Sequence, residues 1–129
     1  MPRFLAPAPP PKREGKEGLS EEYREYLNSP EWANVRFRII VRAGYTCEGC
    51  ERDNRTLEVH HLTYLRLGRE RDSDLLALCK TCHKRADTLR PIFRGWLRVR
   101  YGMKYLFVDM RQAWDRFQEE RKDAGISTL

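Results

Sequence analysis

The most regular hydrophobic pattern in the chain lies between residues 29 and 44. Apolar side chains recur there every three or four residues, as on one face of an amphipathic helix. Ser29 is a favourable N-cap, Pro30 suits the first helical position, and Gly44 suits a C-cap. The pattern therefore predicts a core helix. Its apolar face consists of Trp32, Val35, Ile39, Ile40 and Ala43.

A shorter helix is predicted immediately before it. Ser20 can act as its N-cap, and Glu21 and Glu22 follow in the first turn, where the helix dipole favours acidic side chains. The segment EEYREYL then ends near Asn28.

The middle of the chain changes to a strand pattern. In TLEVHHL, Leu57 and Val59 alternate with polar residues, which is typical of a short strand. The polar segment 65–73 predicts a loop, and DLLAL, from Asp74 to Leu78, predicts the returning strand. Together with the helices, this hairpin indicates an α+β fold.

Three further helices are expected after the hairpin. A short one covers residues 80–89, and a second, PIFRGWLRVRY, has Pro91 near its start. The last runs from about Val108 to Lys122. Its predicted buried stripe consists of Met110, Trp114 and Phe117.

Proline and charge content divide the chain into an arm and a domain. Residues 1–18 are predicted to be a flexible arm, and residues 19–129 a single domain. Within that domain we expect a core at about 45–89, with helical flanks at 20–44 and 90–123. No apolar run has the length of a membrane span, and the N-terminus lacks the apolar segment of a secretion signal.

The net charge of +6 is concentrated in one segment. Residues 84–106 contain seven basic side chains and a single acid, Asp87, and therefore hold the whole excess. A localised basic patch favours a polyanionic partner, most often nucleic acid, although a solvated basic surface is the alternative.

The four cysteines form two CxxC pairs. Cys47 and Cys50 make the first, and Cys79 and Cys82 the second. Two such pairs are a strong signal for a tetrahedral structural zinc (Zn²⁺), because each turn brings two thiolates to one ion. We expect Gly49 to supply a positive φ angle in the first turn.

The cysteine pairs also bear on location and on folding. Four cysteines without a secretion signal point to the cytoplasm, where thiols stay reduced, and a disulfide or redox role is the alternative. The 28 residues between the pairs exceed the usual ribbon spacing, so an inserted hairpin is expected between the two turns. The zinc would clamp its ends, and a closed four-thiolate site would not itself be catalytic.

The two cysteine pairs are also expected to bring the three histidines of the chain together. His60 and His61 lie on the insertion, and His83 directly follows Cys82. The run CEGC, LEVHH, DLLALC and KTCH resembles the His-Asn-His (HNH) endonucleases, whose core is the ββα-metal motif. The upstream segments YLNSPEW and RAGYTCEGC resemble the opening of many bacterial and phage members. The resemblance covers roughly residues 23–88.

The resemblance implies a role for each matching residue. The first histidine of the family pair binds the catalytic ion, which corresponds to His60; the second is the general base, which corresponds to His61. His83 corresponds to the metal-binding histidine of the helix. The family asparagine, nine residues before it, is Asp74 here, and a further histidine ligand found in many members is Asp87 here.

The two aspartates are departures from the family pattern. Asp74 can accept hydrogen bonds from the catalytic loop but cannot donate an amide N–H. Asp87 shares a helix face with His83, and a carboxylate suits Mg²⁺ or Mn²⁺ better than it suits zinc. The alternative is that Asp87 caps the helix or pairs with Arg85 or Arg90.

The resemblance implies a metal-dependent hydrolysis of DNA. Neighbouring side chains on a strand diverge, so His60 and His61 suit two different tasks, although both could be ordinary strand residues. A neutral His61 would take a proton from water while the ion stabilises the charge on the phosphate and on the departing oxygen. The products implied by the family carry a 3′-hydroxyl and a 5′-phosphate.

The basic segment after the hairpin predicts how nucleic acid is held. Arg90, Arg94 and Arg98 recur every four residues and would form one helical ridge along a phosphate backbone, supplemented by Arg100 and Lys104. The nearby aromatic residues could stack on bases but are more typical of a core. They are Phe93, Trp96 and Tyr101.

Three functional hypotheses follow from the sequence. The leading one is a DNA endonuclease in the cytoplasm of a bacterial cell or phage-infected host. The second is a zinc module that binds nucleic acid without cleaving it. The third is a subunit that cleaves only within a larger phage or bacterial assembly. Cleavage of both strands would favour a homodimer, since each chain has one site.

Overall fold

The computed structural model describes residues 20–129, so the predicted arm at 1–18 lies outside the described residues. The division into an arm and one domain stays a prediction. The structure contains helices and one two-stranded antiparallel sheet, which confirms the α+β class. In chain order the elements are α1 (Glu21–Leu27), α2 (Pro30–Arg42), β1 (Leu57–His61), β2 (Leu75–Cys79), α3 (Lys80–Tyr101) and α4 (Met110–Asp123).

Side-chain caps define the two N-terminal helices as the sequence predicts. The hydroxyl of Ser20 accepts a hydrogen bond from the backbone N–H of Tyr23, and that of Ser29 accepts one from Trp32. Each bond satisfies a donor that the first turn of a helix leaves unpaired. Gly44 follows the end of α2 with a φ of 65°, the left-handed conformation that glycine adopts without strain.

The hairpin places the cysteine and histidine positions at opposite ends of the sheet. Leu57 pairs with Cys79 at one end, and His61 pairs with Leu75 at the other. β2 begins one residue later than predicted, because Asp74 belongs to a 3-10 turn that precedes the strand. All five residues of β2 are buried, so this strand lies inside the protein.

The two helices predicted on either side of Pro91 are wrong, because α3 is continuous over 22 residues. Pro91 lies on the exposed side of the helix, while Leu89, Phe93 and Leu97 form one buried stripe on both sides of it. Packing of that stripe against a single core offsets the backbone hydrogen bond that proline removes.

The C-terminal helix packs against α3 and against the 3-10 turn that precedes β2. Its predicted stripe is confirmed, since Met110, Trp114 and Phe117 are buried. The Phe93 ring lies 5.1 Å from the ring of Trp114, edge to face, and 5.2 Å from that of Phe117. The aromatic residues of α3 therefore pack in the core, with Trp96 half-buried and stacked on Phe93.

Among residues 20–129, no helix combines the length and the apolar character that crossing a membrane requires.

Candidate metal sites and active-site cleft

The structure brings the four cysteines together. The sulfur atoms of the four residues all lie within 4.8 Å of one another: Cys47, Cys50, Cys79 and Cys82. All four are free thiols, and only Cys50 is exposed. Four converging sulfurs are the donor set of a structural zinc site, so the cluster indicates zinc binding.

Backbone donors prepare this cluster for a thiolate. The sulfur of Cys47 accepts hydrogen bonds from the N–H groups of Gly49, Cys50 and Cys79, at 3.3, 3.4 and 3.3 Å. Burial alone would raise the pKa of Cys47, but these backbone bonds lower it to about 6. A sulfur surrounded by N–H donors favours the charged form that zinc binds, so the residues present fit the ion.

The predicted reason for Gly49 is wrong, although the glycine is needed. The positive φ of the first turn belongs to Glu51, at 66°, and not to Gly49. A Cβ atom at Gly49 would lie 3.0 Å from the sulfur of Cys82 and 3.3 Å from Leu78. The turn thus requires glycine because the second cysteine pair approaches it closely.

The first cysteine turn is attached to the hairpin by hydrogen bonds at Glu48. Its N–H donates to the carbonyl of Ala77 at 2.8 Å, and its carboxylate accepts from the N–H of Ala77 at 2.9 Å. Arg42 and Arg111 pair with the same carboxylate. These contacts tie the turn to β2, as expected of a clamp at the base of the hairpin.

A second cluster of metal-ligand type lies along β1 and α3. It consists of His60, His83 and Asp87, whose donor atoms all lie within 4.8 Å of one another. Oδ1 of Asp87 is 3.2 Å from Nδ1 of His60 and 3.7 Å from Nε2 of His83. Two imidazoles and one carboxylate leave coordination positions for water or substrate, unlike the four-cysteine site.

The register of β1 against α3 produces this cluster. Glu58 contacts His83, and the carbonyl of His61 accepts a hydrogen bond from Arg90. Three steps along a strand advance about 10 Å, and seven steps along a helix advance about 10.5 Å. The two elements therefore stay in step, and His60 is placed opposite the intervening Asp87.

The orientation of His83 depends on Glu58, which the sequence pattern does not single out. Oε1 of Glu58 lies 2.7 Å from Nδ1 of His83. This contact is a hydrogen bond when Nδ1 carries the proton, which leaves the lone pair of Nε2 facing Asp87. The polar Glu58 precedes the apolar Val59, as in the usual alternation of a strand. The sequence therefore does not distinguish Glu58 from an ordinary polar strand residue.

His60 is fully buried and neutral at pH 7. Burial, with the charge of Arg90, lowers the pKa of its imidazole to about 3. Its Nε2 atom has no hydrogen-bond partner among the described residues. Burial alone would raise the pKa of Asp87, but the hydrogen bond with His60 and the charge of Arg90 lower it to about 2. A neutral imidazole beside an ionised carboxylate fits a divalent cation.

Arg90 is not part of an exposed ridge, contrary to the prediction. Its residue exposure is 4%, and its Nε donates to the carbonyl of His61 at 2.9 Å. Nη2 lies 2.7 Å from Oδ1 of Asp87 and 3.2 Å from Nδ1 of His60. Asp87 pairs with this guanidinium, as in the alternative for Asp87, and it also belongs to the donor cluster. Helical spacing predicted the position of Arg90 on α3, and the packing of β1 decided its burial.

His61 lies on the other side of the strand end, in a cleft of about 330 Å³. Its ring stacks on Trp32 with 4.9 Å between centroids, and Tyr23 and Tyr64 also contact it. Nε2 of His61 lies 2.7 Å from Oε2 of Glu70. The same cleft is lined by His83 and Asp87, so the predicted base and the second cluster open into one space.

Residues 47–88 match the model of the HNH endonuclease family. Residues 47–88 are an HNH domain. Comparison of the chain with curated proteins and with solved structures found no match. The matched segment of the HNH domain begins at Cys47 and includes both cysteine pairs and the three histidines. The family implies a nuclease and a nucleic-acid substrate.

Asp74 holds the loop of the HNH domain from a fully buried position. Its carboxylate accepts a hydrogen bond from the N–H of Arg71 at 3.0 Å, and its carbonyl accepts one from Leu62 at 2.8 Å. Arg66 donates to both carboxylate oxygens. Arg66 therefore supplies the counter-charge that this buried carboxylate requires. The sequence predicts a polar loop over residues 65–73, and its pattern does not distinguish Arg66 or Glu70 from other charged loop residues.

The remaining predicted DNA-binding residues lie on the surface. Arg94 and Arg98 are exposed, and neither contacts an acidic side chain among residues 20–129. Arg100 pairs with Glu120 and its guanidinium lies 4.9 Å from the Trp96 ring, so it has partners within the protein. Lys104 is exposed in the 3-10 turn after α3.

Proposed function

We propose that this protein is a divalent-metal-dependent DNA endonuclease that hydrolyses phosphodiester bonds with His61 as general base. The observation that carries the proposal is the shared cleft, which is lined by His61 and by His83 and Asp87. The last two belong to the donor cluster that the buried His60 completes. An open site for a cation beside a fixed imidazole is the arrangement that phosphodiester hydrolysis requires.

In this proposal three residues bind the metal ion and a fourth accepts the proton. His60, His83 and Asp87 would hold Mg²⁺ or Mn²⁺, which would stabilise the negative charge that develops on the phosphate and on the departing oxygen. His61 accepts a proton from the attacking water. The water oxygen bonds to phosphorus, and the bond from phosphorus to the 3′-oxygen breaks. The products carry a 5′-phosphate and, after that oxygen gains a proton, a 3′-hydroxyl.

The continuous helix α3 supports DNA as the substrate class. His83 and Arg94 are 11 residues apart, and Arg98 lies four residues further, so all three lie near one face of α3. At 1.5 Å per residue, the exposed arginines lie about 16 and 22 Å along the axis from His83. In the proposal, Arg94, Arg98 and Lys104 contact phosphates that flank the cleavage site, without reading bases.

A plasmid assay tests this function. Purified protein is incubated with supercoiled DNA and Mg²⁺ or Mn²⁺, beside His61→Ala and Asp87→Ala prepared identically. We expect cleavage that stops with chelator and with either variant. Arg116→Ala, an exposed change on α4, is the matched control and should cleave as the wild type does. Equal backgrounds in wild type and His61→Ala would refute the nuclease.

One observation favours a second candidate, a zinc module that binds nucleic acid without cleavage. The Arg90 guanidinium contacts donor atoms of both His60 and Asp87 and already supplies a positive charge to the cluster. In that case the cluster would bind no added cation. Titration with Mn²⁺, followed by electron paramagnetic resonance, separates the two candidates: binding that is lost in Asp87→Ala supports the nuclease.

The proposal includes the cellular location and the oligomeric state of the protein. The four free thiols of the zinc cluster fit the reducing cytoplasm of a bacterial cell or phage-infected host. A homodimer or a larger nucleoprotein assembly would bring a second site to the opposite strand. Sedimentation of the protein with and without DNA distinguishes a monomer from these assemblies.

A further inference from the structure

We propose that Glu70 is the positioning residue of His61, and that its carboxylate accepts a hydrogen bond from Nε2–H so that Nδ1 is the atom presented to water. The inference rests on the proposed function, because it assigns a partner to the general base of that reaction.

The contact between the two side chains is short and shielded from water. Oε2 of Glu70 lies 2.7 Å from Nε2 of His61, and the side-chain exposures are 1% and 4%. A carboxylate at neutral pH is only an acceptor, so the contact is a hydrogen bond when the imidazole carries its proton on Nε2. In neutral His61 the lone pair is then on Nδ1, as a base requires.

Glu70 is itself held by a second hydrogen bond. The hydroxyl of Tyr26, on α1, donates to Oε1 of Glu70 at 2.6 Å. Burial alone would raise the pKa of Glu70, but the hydrogen bonds from His61 and Tyr26 lower it. Each carboxylate oxygen therefore has its own donor, and the carboxylate has one orientation.

Aromatic packing completes the restraint on the imidazole. Trp32 stacks on the His61 ring at an interplanar angle of 16°. Stacking restricts the tilt of the ring, and the bond to Glu70 restricts its rotation and selects the tautomer. α1, α2 and the loop of the HNH domain thus meet at one side chain, which supports their participation in the active site.

The test measures the tautomer and the kinetics separately. Long-range ¹H–¹⁵N spectra of the zinc-loaded protein without added Mg²⁺, at pH 8, identify which nitrogen of His61 carries the proton. We expect Nε2–H in the wild type and in Glu70→Gln, whose amide oxygen still accepts. Glu70→Ala should give a tautomer mixture. In plasmid cleavage, kcat of Glu70→Ala should fall about 10- to 100-fold, with KM nearly unchanged.

Controls separate positioning from a loss of structure. Glu25→Ala, an exposed change on α1, should alter neither the tautomer nor kcat. Glu70→Ala removes a buried carboxylate that accepts from the Tyr26 hydroxyl and can destabilise the protein. The double variant Tyr26→Phe/Glu70→Leu removes both polar groups and provides the same test in an apolar setting. It should also show a tautomer mixture and a lowered kcat.

The outcomes distinguish the inference from the proposed function. Nδ1–H in the wild type, or a tautomer and kcat that neither Glu70→Ala nor the double variant changes, would overturn the role of Glu70 while cleavage remained intact. A wild-type protein with Nε2–H that cleaves no DNA would overturn the nuclease instead and leave the hydrogen bond to Glu70 established.

Discussion

Arg66 donates hydrogen bonds to both carboxylate oxygens of Asp74, at 2.8 Å from Nε and 2.6 Å from Nη2. The pair lies within one loop and its carboxylate is fully buried. The family resemblance places Asp74 at the position of the asparagine, and the bidentate guanidinium supplies the counter-charge that a buried carboxylate needs and an asparagine would not. The substitution is thus matched by a partner eight residues away.

We predict that Arg66 and Asp74 are energetically coupled. Arg66→Met would leave a buried carboxylate without its counter-charge and should lower the free energy of unfolding by about 3 kcal/mol. Asp74→Asn added to this variant should recover part of the loss, because no buried charge then remains unpaired. Urea denaturation of the two single variants and the double variant measures the coupling. Strictly additive losses would contradict it.

The zinc clamp predicts that folding depends on one metal ion. We expect one zinc per chain by mass spectrometry of the native protein. Cys79→Ser should lose the ion and unfold, because the binding free energy of a structural zinc is also folding free energy. Circular dichroism with a strong chelator checks this directly. A protein that stays folded in chelator and reductant would contradict the clamp.

We predict that the first cysteine turn has no room for a side chain at Gly49. A Cβ atom there would lie 3.0 Å from the Cys82 sulfur, and overpacking of this kind costs about 1–3 kcal/mol. Gly49→Ala should therefore weaken zinc binding about tenfold in a competition assay with a coloured chelator. Gly95→Ala is the matched control, since its added methyl meets no atom within 4 Å. It lies inside α3 and should stabilise the helix by up to about 1 kcal/mol.

We predict that burial of His60 makes the protein less stable in mild acid. The folded-state pKa of this buried imidazole is lowered to about 3, whereas an unfolded histidine titrates near 6.5. Between these values the unfolded state binds more protons, so stability rises with pH, by at most about 1.4 kcal/mol per unit. Denaturation of zinc-loaded wild type and His60→Gln between about pH 5 and 6.5 should show a shallower slope in the variant. Parallel slopes would contradict a depressed pKa at His60.

We predict that the exposed arginines of α3 make salt-dependent contacts with DNA. Arg94→Gln/Arg98→Gln should weaken binding of all DNA sequences similarly and reduce the slope of log affinity against log salt by about 0.9 for each lost phosphate contact. Arg100→Gln serves as the comparison, because Arg100 pairs with Glu120. It should leave the slope nearly unchanged. A reduction in Arg100→Gln as large as half of that in the double variant would contradict this difference between the arginines.

Local spacing was enough for the parts of the protein that depend on neighbours in sequence. The caps at Ser20 and Ser29 act within the first turns of α1 and α2, and the apolar face of α2 repeats with the helix period. Each CxxC pair presents two thiols from one turn, so the four-cysteine cluster was predictable. The alignment of His60 and His83 came from the family resemblance, and the structure brings both to Asp87.

Tertiary structure decided the contacts between residues distant in sequence and the burial of individual charges. Glu58, Arg66 and Glu70 are ordinary charged residues in a strand or loop, and only the folded chain brings them to His83, Asp74 and His61. The helical period cannot say which side of α3 meets β1, so Arg90 was expected on the surface and is buried. The continuity of α3 through Pro91 has the same origin, because burial of a long apolar stripe outweighs one missing hydrogen bond.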